Sequence, residues 1–276
     1  MGGVPLPGEF GERARDILAG RVKPVPARDA ATVVILREGV EVYLLRRKAS
    51  MAFAAGAYVF PGGSVDPRDT DHAIAWAGPS PAEWGAIFRA DDSTARGLVC
   101  AAVRETFEES GVLLAGPSAE SVVADTTGDD WEADRLALID RSLSFADFLD
   151  ARGLVLRSDL LRPWTHWITP EIEHRRFDTR FFVAALPPGQ RTRDVGGEAD
   201  QVAWVRPADA VDRARNGQIF LMPPTYRTLG ELRDYTTVAD VLAAEREIVT
   251  FMPEIAEVDG EMRIVLDDDY ERFGTA

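Results

Sequence analysis

The chain has 276 residues, 46% of them hydrophobic and 28% charged, a balance ordinary for a globular protein of one large or two small domains. Its 31 basic and 46 acidic residues leave a net charge of −15, which disfavours nucleic-acid backbones and anionic membranes as partners. No apolar run approaches the ~18 residues of a membrane span, and Met1-Gly-Gly-Val-Pro-Leu-Pro7 has neither the basic flank nor the apolar core of a secretory leader. A single cysteine, Cys100, excludes an intramolecular disulfide, and with three histidines it argues against a Cys/His zinc site. A reducing cytoplasm is the expected compartment.

Residues 1–28 are rich in Pro, Gly and Arg and read as a surface arm with a short helix near Glu12–Leu18. Ala30–Leu36 and Val40–Leu45 follow as two strands about a tight Glu38-Gly39 turn. Arg46, Arg47 and Lys48 come next, either as a charged strand end or as phosphate-capturing cations. Ala57–Phe60 is a short strand running into Pro61-Gly62-Gly63, where two glycines let the backbone turn sharply and approach a ligand closely.

Asp91-Asp-Ser-Thr94 supplies N-cap chemistry for a helix whose apolar face is Leu98, Val99, Ala102 and Val103. That helix runs through Arg104-Glu-Thr-Phe-Glu-Glu-Ser-Gly-Val112, with Glu105, Glu108 and Glu109 at i, i+3 and i+4 and Gly111 as its terminator. Three like charges on one face repel. The face is therefore either simply solvated or neutralised by a hard cation, and carboxylate oxygens are the ligands that Mg²⁺ and Mn²⁺ prefer.

Beyond it, residues 116–130 form a polar linker, and Trp131–Arg152 holds one or two helices. Trp164–Ile168, Arg176–Leu186 and Val202–Val205 read as strands. In the second of these, alternation puts Arg176, Asp178 and Arg180 on one face and Phe177, Thr179 and Phe181 on the other. Pro207–Asn216, Thr225–Tyr235 and Val238–Thr250 read as helices, and Ile255–Glu257 with Met262–Leu266 as a closing hairpin.

The pattern R-E-T-F-E-E-S-G-V, preceded at a distance by Phe60-Pro-Gly-Gly63, resembles the Nudix box G-x5-E-x7-R-E-U-x-E-E-x-G-U, in which U is aliphatic; Thr106 is the loose fit. The resemblance implies an α/β Nudix fold, an α/β/α sandwich with a mixed central sheet, over residues 29–276. An insertion at about 69–96 interrupts the box and is expected as a loop or short helices folded over one end of the site. A linker and helical segment at about 116–155 and C-terminal helices with a hairpin at 225–276 are further additions. It implies a metal-dependent pyrophosphohydrolase using Mg²⁺ or Mn²⁺, acting on a small nucleotide-type substrate and not on nucleic acid or membranes, and it admits a homodimer.

Carried onto this chain, the metal ligands are Glu105, Glu109, Glu108 and the backbone at Gly63. Glu108 either ligates or orients the water. Arg104, Gly62 and Gly111 are structural. Glu198, in Gly196-Gly197-Glu198 ahead of a strand ending near Trp204, occupies the family's general-base position, or else is an acidic turn. The first box glutamate falls at Asp69 or at Arg96.

Phe60-Pro-Gly-Gly-Ser-Val-Asp66 before the insertion, with Trp167-Ile-Thr-Pro170 and Arg175–Phe181 after it, looks like a Nudix subgroup that hydrolyses coenzyme A and its esters. A 3′-phosphate would call for Arg46, Arg176 and Arg180, with Arg47 and Arg175 as further candidates. ADP-ribose, NADH or a dinucleotide would favour stacking on Trp76, Trp84, Trp167 or Tyr226. A non-catalytic nucleotide-binding module is the remaining alternative, although such modules typically lose the box glutamates.

Overall fold

The structure is a computed structural model and describes residues 3–48, 54–71, 73–193 and 199–265. The chain opens with a short strand β1 (Gly3–Pro5) and a helix α1 (Glu9–Leu18), then enters the sheet. There β2 (Arg28–Arg37) and β3 (Glu41–Arg47) form the predicted hairpin. Gly39 and Val40 in its turn have φ of 79° and 53°, the positive values that suit a tight reversal between right-twisted strands. β4 (Ala57–Val59) pairs antiparallel with β3, and β5 (Gly62–Ser64) folds back antiparallel onto the start of β2.

The insertion follows as a 3₁₀ turn (Pro67–Thr70), β6 (Trp76–Ala77) and α2 (Pro81–Phe88), and the acidic helix is α3 (Asp92–Ser110). After β7 (Ala115–Gly116), α4 (Asp129–Ile139) and α5 (Phe145–Ala151), β8 (Val155–Arg157) joins β6 and β7 in a small side sheet. β9 (Arg162–Ile168) pairs antiparallel with β10 (Phe177–Ala185), which runs parallel to β2 from Phe177 opposite Arg28 to Ala185 opposite Leu36. β11 (Ala199–Val205) closes against β3.

α6 (Pro207–Arg215), β12 (Phe220–Leu221), α7 (Pro223–Leu232) and α8 (Val238–Ala243) come next, and β13 (Thr250–Phe251) is an edge strand on β9. β14 (Glu254–Val258) and β15 (Glu261–Val265) form the expected closing hairpin, and β1 adds to its edge.

The alternation of β2 makes this a sandwich. Ala31, Val33 and Ile35 point into the layer of α2 and α3, while Val34 and Leu36, with Val42 and Leu44 of β3, point into the layer of α6, α7 and α8. Each Val or Leu so buried contributes about 1.5–3 kcal/mol. The mixed curled sheet between two helical layers is the α/β fold expected from the sequence.

The helix α3 starts where Asp91 accepts a hydrogen bond from the Thr94 N–H at 2.8 Å, and it ends where Gly111 adopts a φ of 74°. Its Thr106 fits an aliphatic position because its hydroxyl donates to the Ala102 carbonyl, 2.7 Å away, and so enters the core satisfied.

Two expectations change. The predicted helix over 238–250 stops at Ala243, because Thr250 and Phe251 pair with β9 and Arg246 donates to the Trp164 carbonyl at 3.1 Å. Edge-strand pairing there outweighs helical propensity. The insertion was expected to fold over one end of the site. Instead its helix α2 enters the core, with the Trp84 and Phe88 rings 5.5 and 5.3 Å from that of Phe182. No helix of the described residues is long and apolar enough to cross a membrane.

Candidate active site

β5 and α3 meet so closely that the two glycines of the box do different work. A Cβ at Gly62 would lie 2.5 Å from the Ala31 carbonyl oxygen and 2.8 Å from Thr32 Cα, both backbone atoms of the neighbouring strand. A Cβ at Gly63 would instead lie 2.5 Å from Glu105 Cδ and 2.7 Å from its Oε2. The Gly62 N–H donates to a Glu109 carboxylate oxygen at 2.9 Å. Glycine at 62 thus protects the sheet, and glycine at 63 makes room for a carboxylate.

Arg104 gathers the acidic side chains. Its Nη1 donates to Glu105 at 2.8 Å and to Glu108 at 3.0 Å, and its Nη2 donates to the Ser64 carbonyl at 3.0 Å. Nε and Nη2 form a fork on Asp69 at 3.0 and 2.9 Å. Asp69 is 1% exposed and sits at the family's first-glutamate spacing from Gly63. Of the two candidates for the first box position, Asp69 is the one that Arg104 holds beside the box carboxylates. Arg96 is elsewhere, stacked over the Trp76 ring at 5.2 Å.

Burial raises Glu105 to about 7, against the opposing pull of Arg104, and burial likewise raises Glu108. Burial works against charge on Arg104 too, but the Asp69 hydrogen bonds and the neighbouring carboxylates hold it charged, above its ordinary range. These groups are thus a crowded set of hard oxygen donors whose charge is only partly compensated. Among the described residues no three of them converge on one point, since Arg104 and the Gly62 N–H hold them apart.

The far end of α3 is fixed by two more arginines. Arg135, 1% exposed, donates from Nη1 to the Glu108 carbonyl at 2.6 Å, and the Arg193 N–H donates to the Ser110 carbonyl at 3.0 Å. Both guanidinium groups rest on Glu132, so one guanidinium and one backbone N–H satisfy the two orphan carbonyls at this helix C-terminus. A Cβ on Gly111 would meet Arg193 Cγ at 2.9 Å, which adds a packing reason for glycine there.

The carboxylates open into a cavity of about 740 Å³, within the usual size range of small-molecule sites. Arg47, Arg68, Arg104, Arg135, Arg141 and Arg175 line it, against Asp66, Asp69, Glu105, Glu108, Glu109 and Glu173. Six basic and six acidic side chains line it, a far more even balance of sign than the net charge of −15 gives the chain as a whole. Trp167, Ile168, Pro170, Phe177, Met222 and Pro223 supply an apolar stretch of wall.

Of the arginines expected to bind substrate, Arg47 and Arg175 line the cavity, and Arg46, Arg176 and Arg180 do not. Arg46 faces away, 3.6 Å from Asp200, while Leu45 and Arg47 on the same strand line the cavity. Arg176 is buried, donating to the Thr169 carbonyl at 3.0 Å and the Val25 carbonyl at 2.8 Å. Arg180 is buried between Asp29 and Asp178 at 2.9 and 2.7 Å. Alternation along β10 divides the faces as predicted, but Phe177, Thr179 and Phe181 form the face on the cavity.

Of the aromatic candidates, Trp167 lines the cavity. Trp84 is in the core, the Trp76 Nε1–H donates to the Pro79 carbonyl at 2.7 Å, and the Tyr226 hydroxyl accepts from Arg215 at 2.9 Å. Glu198 lies outside the described residues; Ala199, which follows it, is in the cavity wall. Arg68, Arg135, Arg141 and Asp66 were not expected to line the site. Nothing local in the sequence marks Arg135 and Arg141, because turns far along the chain bring them to α3, whereas Asp66 and Arg68 follow Gly63 by three and five residues.

A mixed sheet between two helical layers, with a glycine strand packed on an E-x-x-E-E helix, defines the Nudix class of diphosphate hydrolases. The chain belongs to that family: the model described as the NUDT19 Nudix domain matches residues 89–232. It is 26% identical over 238 residues to the acyl-coenzyme A diphosphatase NUDT19 of Xenopus laevis, a match covering 73% of this chain and 62% of that protein. The human acyl-coenzyme A diphosphatase NUDT19 is likewise 26% identical over 241 residues, covering 74% of this chain and 63% of its own length. The chain thus spans less than two thirds of these relatives. A crystal structure of a NUDIX hydrolase from Alicyclobacillus acidocaldarius superposes with a TM-score of 0.70 at 28% identity, covering 81% of this chain and 98% of that one.

Proposed function

We propose that this hydrolase is a divalent-cation-dependent diphosphatase that cleaves coenzyme A or its acyl esters to 3′,5′-ADP and phosphopantetheine or its acylated form. The observation that carries the reading is the joining, in one cavity, of the Glu105, Glu108 and Glu109 carboxylates with the apolar wall of Trp167, Ile168, Phe177 and Met222. The first suits a diphosphate and the second a long, largely uncharged arm. The names of the vertebrate relatives point the same way.

The donor set fits Mg²⁺ or Mn²⁺: every candidate ligand is a hard oxygen, and burial has already raised Glu105 and Glu108, a cost that a cation removes. Glu105, Glu108 and Glu109 with the Gly63 carbonyl would hold the ion, which when bound neutralises diphosphate oxygens and lowers the pKa of water. Arg104 keeps Glu105 and Glu108 on the cavity side of α3, and Asp69 keeps Arg104 in place. Glu198 is the proposed general base for the attacking water, with Glu108 as the group that orients it if it is not a ligand. Arg47 and Arg175 in the cavity wall replace Arg46, Arg176 and Arg180 as candidates for the 3′-phosphate.

A second reading, hydrolysis of ADP-ribose, NADH or a dinucleotide, draws on Trp167 as a stacking surface. Turnover of coenzyme A, an acyl-CoA, ADP-ribose, NADH and a dinucleoside polyphosphate with Mg²⁺ or Mn²⁺, products weighed by mass spectrometry, separates the two. Release of 3′,5′-ADP from coenzyme A at the highest kcat/KM is the expected result. A preference for ADP-ribose or NADH overturns the substrate assignment, and binding without hydrolysis of any of them overturns the enzymatic one.

A further inference from the structure

Two turns outside the box helix meet at the cavity. The first is the 3₁₀ turn at the start of the insertion. Its Asp66 accepts from the Arg68 backbone N–H at 2.9 Å, and the Asp66 N–H donates to Asp69 at 2.8 Å. Asp66 also takes Arg68 Nε and Nη2, each at 3.1 Å. The second is the turn after α4, where Arg141 has a φ of 65°. Only glycine adopts that conformation without strain, and strained residues held by their surroundings gather at functional sites.

Arg68 supplies the hold. Its Nη1 reaches across and donates to the Arg141 carbonyl at 3.2 Å. The Arg141 N–H meanwhile donates to the Leu138 carbonyl at 3.0 Å, closing the end of α4. The Arg141 side chain is exposed, lines the cavity and makes no ion pair among the described residues. It differs in this from Arg104, Arg135 and Arg68, whose donors are committed to carboxylates and carbonyls. Its charge is felt at Glu108. A cation with free donors, beside the carboxylates and with its backbone pinned in a strained turn, is placed for an anion that the protein itself does not provide.

We propose that Arg141 binds a phosphate group of the substrate, and that Arg68 is the positioning residue that fixes the turn presenting it. The inference rests on the diphosphatase reading above. It adds that the turn Pro67–Thr70 works on both sides of the cavity, through Asp69 on the box helix and through Arg68 on the turn after α4. Coenzyme A offers two sources for this chemistry, the scissile diphosphate and the 3′-phosphate monoester.

The test uses Arg141→Gly in the full chain, since glycine relieves the left-handed turn while removing the cation. The melting temperature of this variant should equal or exceed that of the unaltered chain. KM for coenzyme A should rise about 10- to 100-fold, the loss of one or two charge-assisted hydrogen bonds. Dephospho-coenzyme A distinguishes the sources: an equal rise assigns Arg141 to the diphosphate, and an unchanged KM assigns it to the 3′-phosphate. Arg68→Ala should raise the same KM by a smaller factor with kcat unaltered and the melting temperature lowered by no more than about 2–4 °C, the loss of its exposed pair with Asp66, and Arg68→Lys should recover part of the rise in KM.

An unchanged KM for both substrates in Arg141→Gly overturns the proposal. Failure of the unaltered chain to hydrolyse either substrate sinks the coenzyme A reading instead. The phosphate site is then judged by calorimetry with inorganic pyrophosphate and 3′,5′-ADP, where equal affinity of the variant and the unaltered chain for both overturns it.

Discussion

Replacing Gly63 with alanine separates catalytic geometry from folding. The added Cβ falls 2.5 Å from Glu105 Cδ, where an ordinary contact begins near 3.4 Å, so the carboxylate must retreat by about 1 Å. Because the obstacle is the far end of a flexible side chain, the backbone of β5 has no reason to move. The cost in stability is then small, under ~1 kcal/mol, or a shift of about 2–4 °C at most for a chain of this size. The cost in rate is not small. A displacement of this size at a reacting centre reduces turnover by about 10²-fold.

Gly62→Ala is the control one residue away. There the added Cβ meets the Ala31 carbonyl and Thr32 Cα at 2.5 and 2.8 Å, and neither backbone atom can move without unpairing β5 from β2. Overpacking of that kind costs about 1–3 kcal/mol, which lowers the melting temperature by about 2–12 °C. Differential scanning calorimetry and steady-state kinetics on the two variants check both halves. Undiminished kcat/KM in Gly63→Ala would refute the placement of Glu105 at the reacting centre.

Four other outcomes are expected. Glu109→Gln should lose metal-dependent turnover by about 10²-fold or more with its fold intact; activity within threefold of the unaltered chain argues against the carboxylate as a ligand. Arg176→Ala removes a buried guanidinium and leaves the partly buried Thr169 and Val25 carbonyls without it. It should cost about 2–4 kcal/mol in urea unfolding while leaving KM unchanged, and a raised KM at full stability would return Arg176 to the substrate.

Asp66, held at about 2 by its hydrogen bonds from Arg68, stabilises the fold above its unfolded value of 3.8 and ceases to do so as pH falls from about 4 to about 2. Its share, about 1 kcal/mol for a pair this open to solvent, should appear as a difference between unaltered chain and Asp66→Asn in melts at pH 6 that vanishes by pH 2. Cys100 is fully buried and burial drives its thiol far above the ordinary range, so a thiol-reactive dye should label it only on unfolding. Stoichiometric labelling of the native protein would contradict that burial.

The local pattern determined the box helix. Its apolar stripe, the Asp91 cap, Gly111 at the end and three glutamates on one face are all short-range features, and each appears where the spacing puts it. The hairpin of β2 and β3 and the alternation along β10 were legible for the same reason. What the sequence did not determine was which face of a strand looks into the cavity. Arg176 and Arg180 share a face by local geometry, but the packing of β10 against β2 and β9 turned that face to structural partners and gave the cavity Phe177 and Thr179.

Likewise, spacing left Asp69 and Arg96 as equal candidates for one box position, and only the long-range fork from Arg104 places Asp69 beside the carboxylates. Arg141 carried no local signal at all, because its role depends on a carbonyl pinned by Arg68 from a turn 73 residues earlier in the chain. Periodicity and capping act over one or two turns and are written in adjacent residues. The meeting of distant turns at one cavity depends on how the layers pack, and only the tertiary structure decides that.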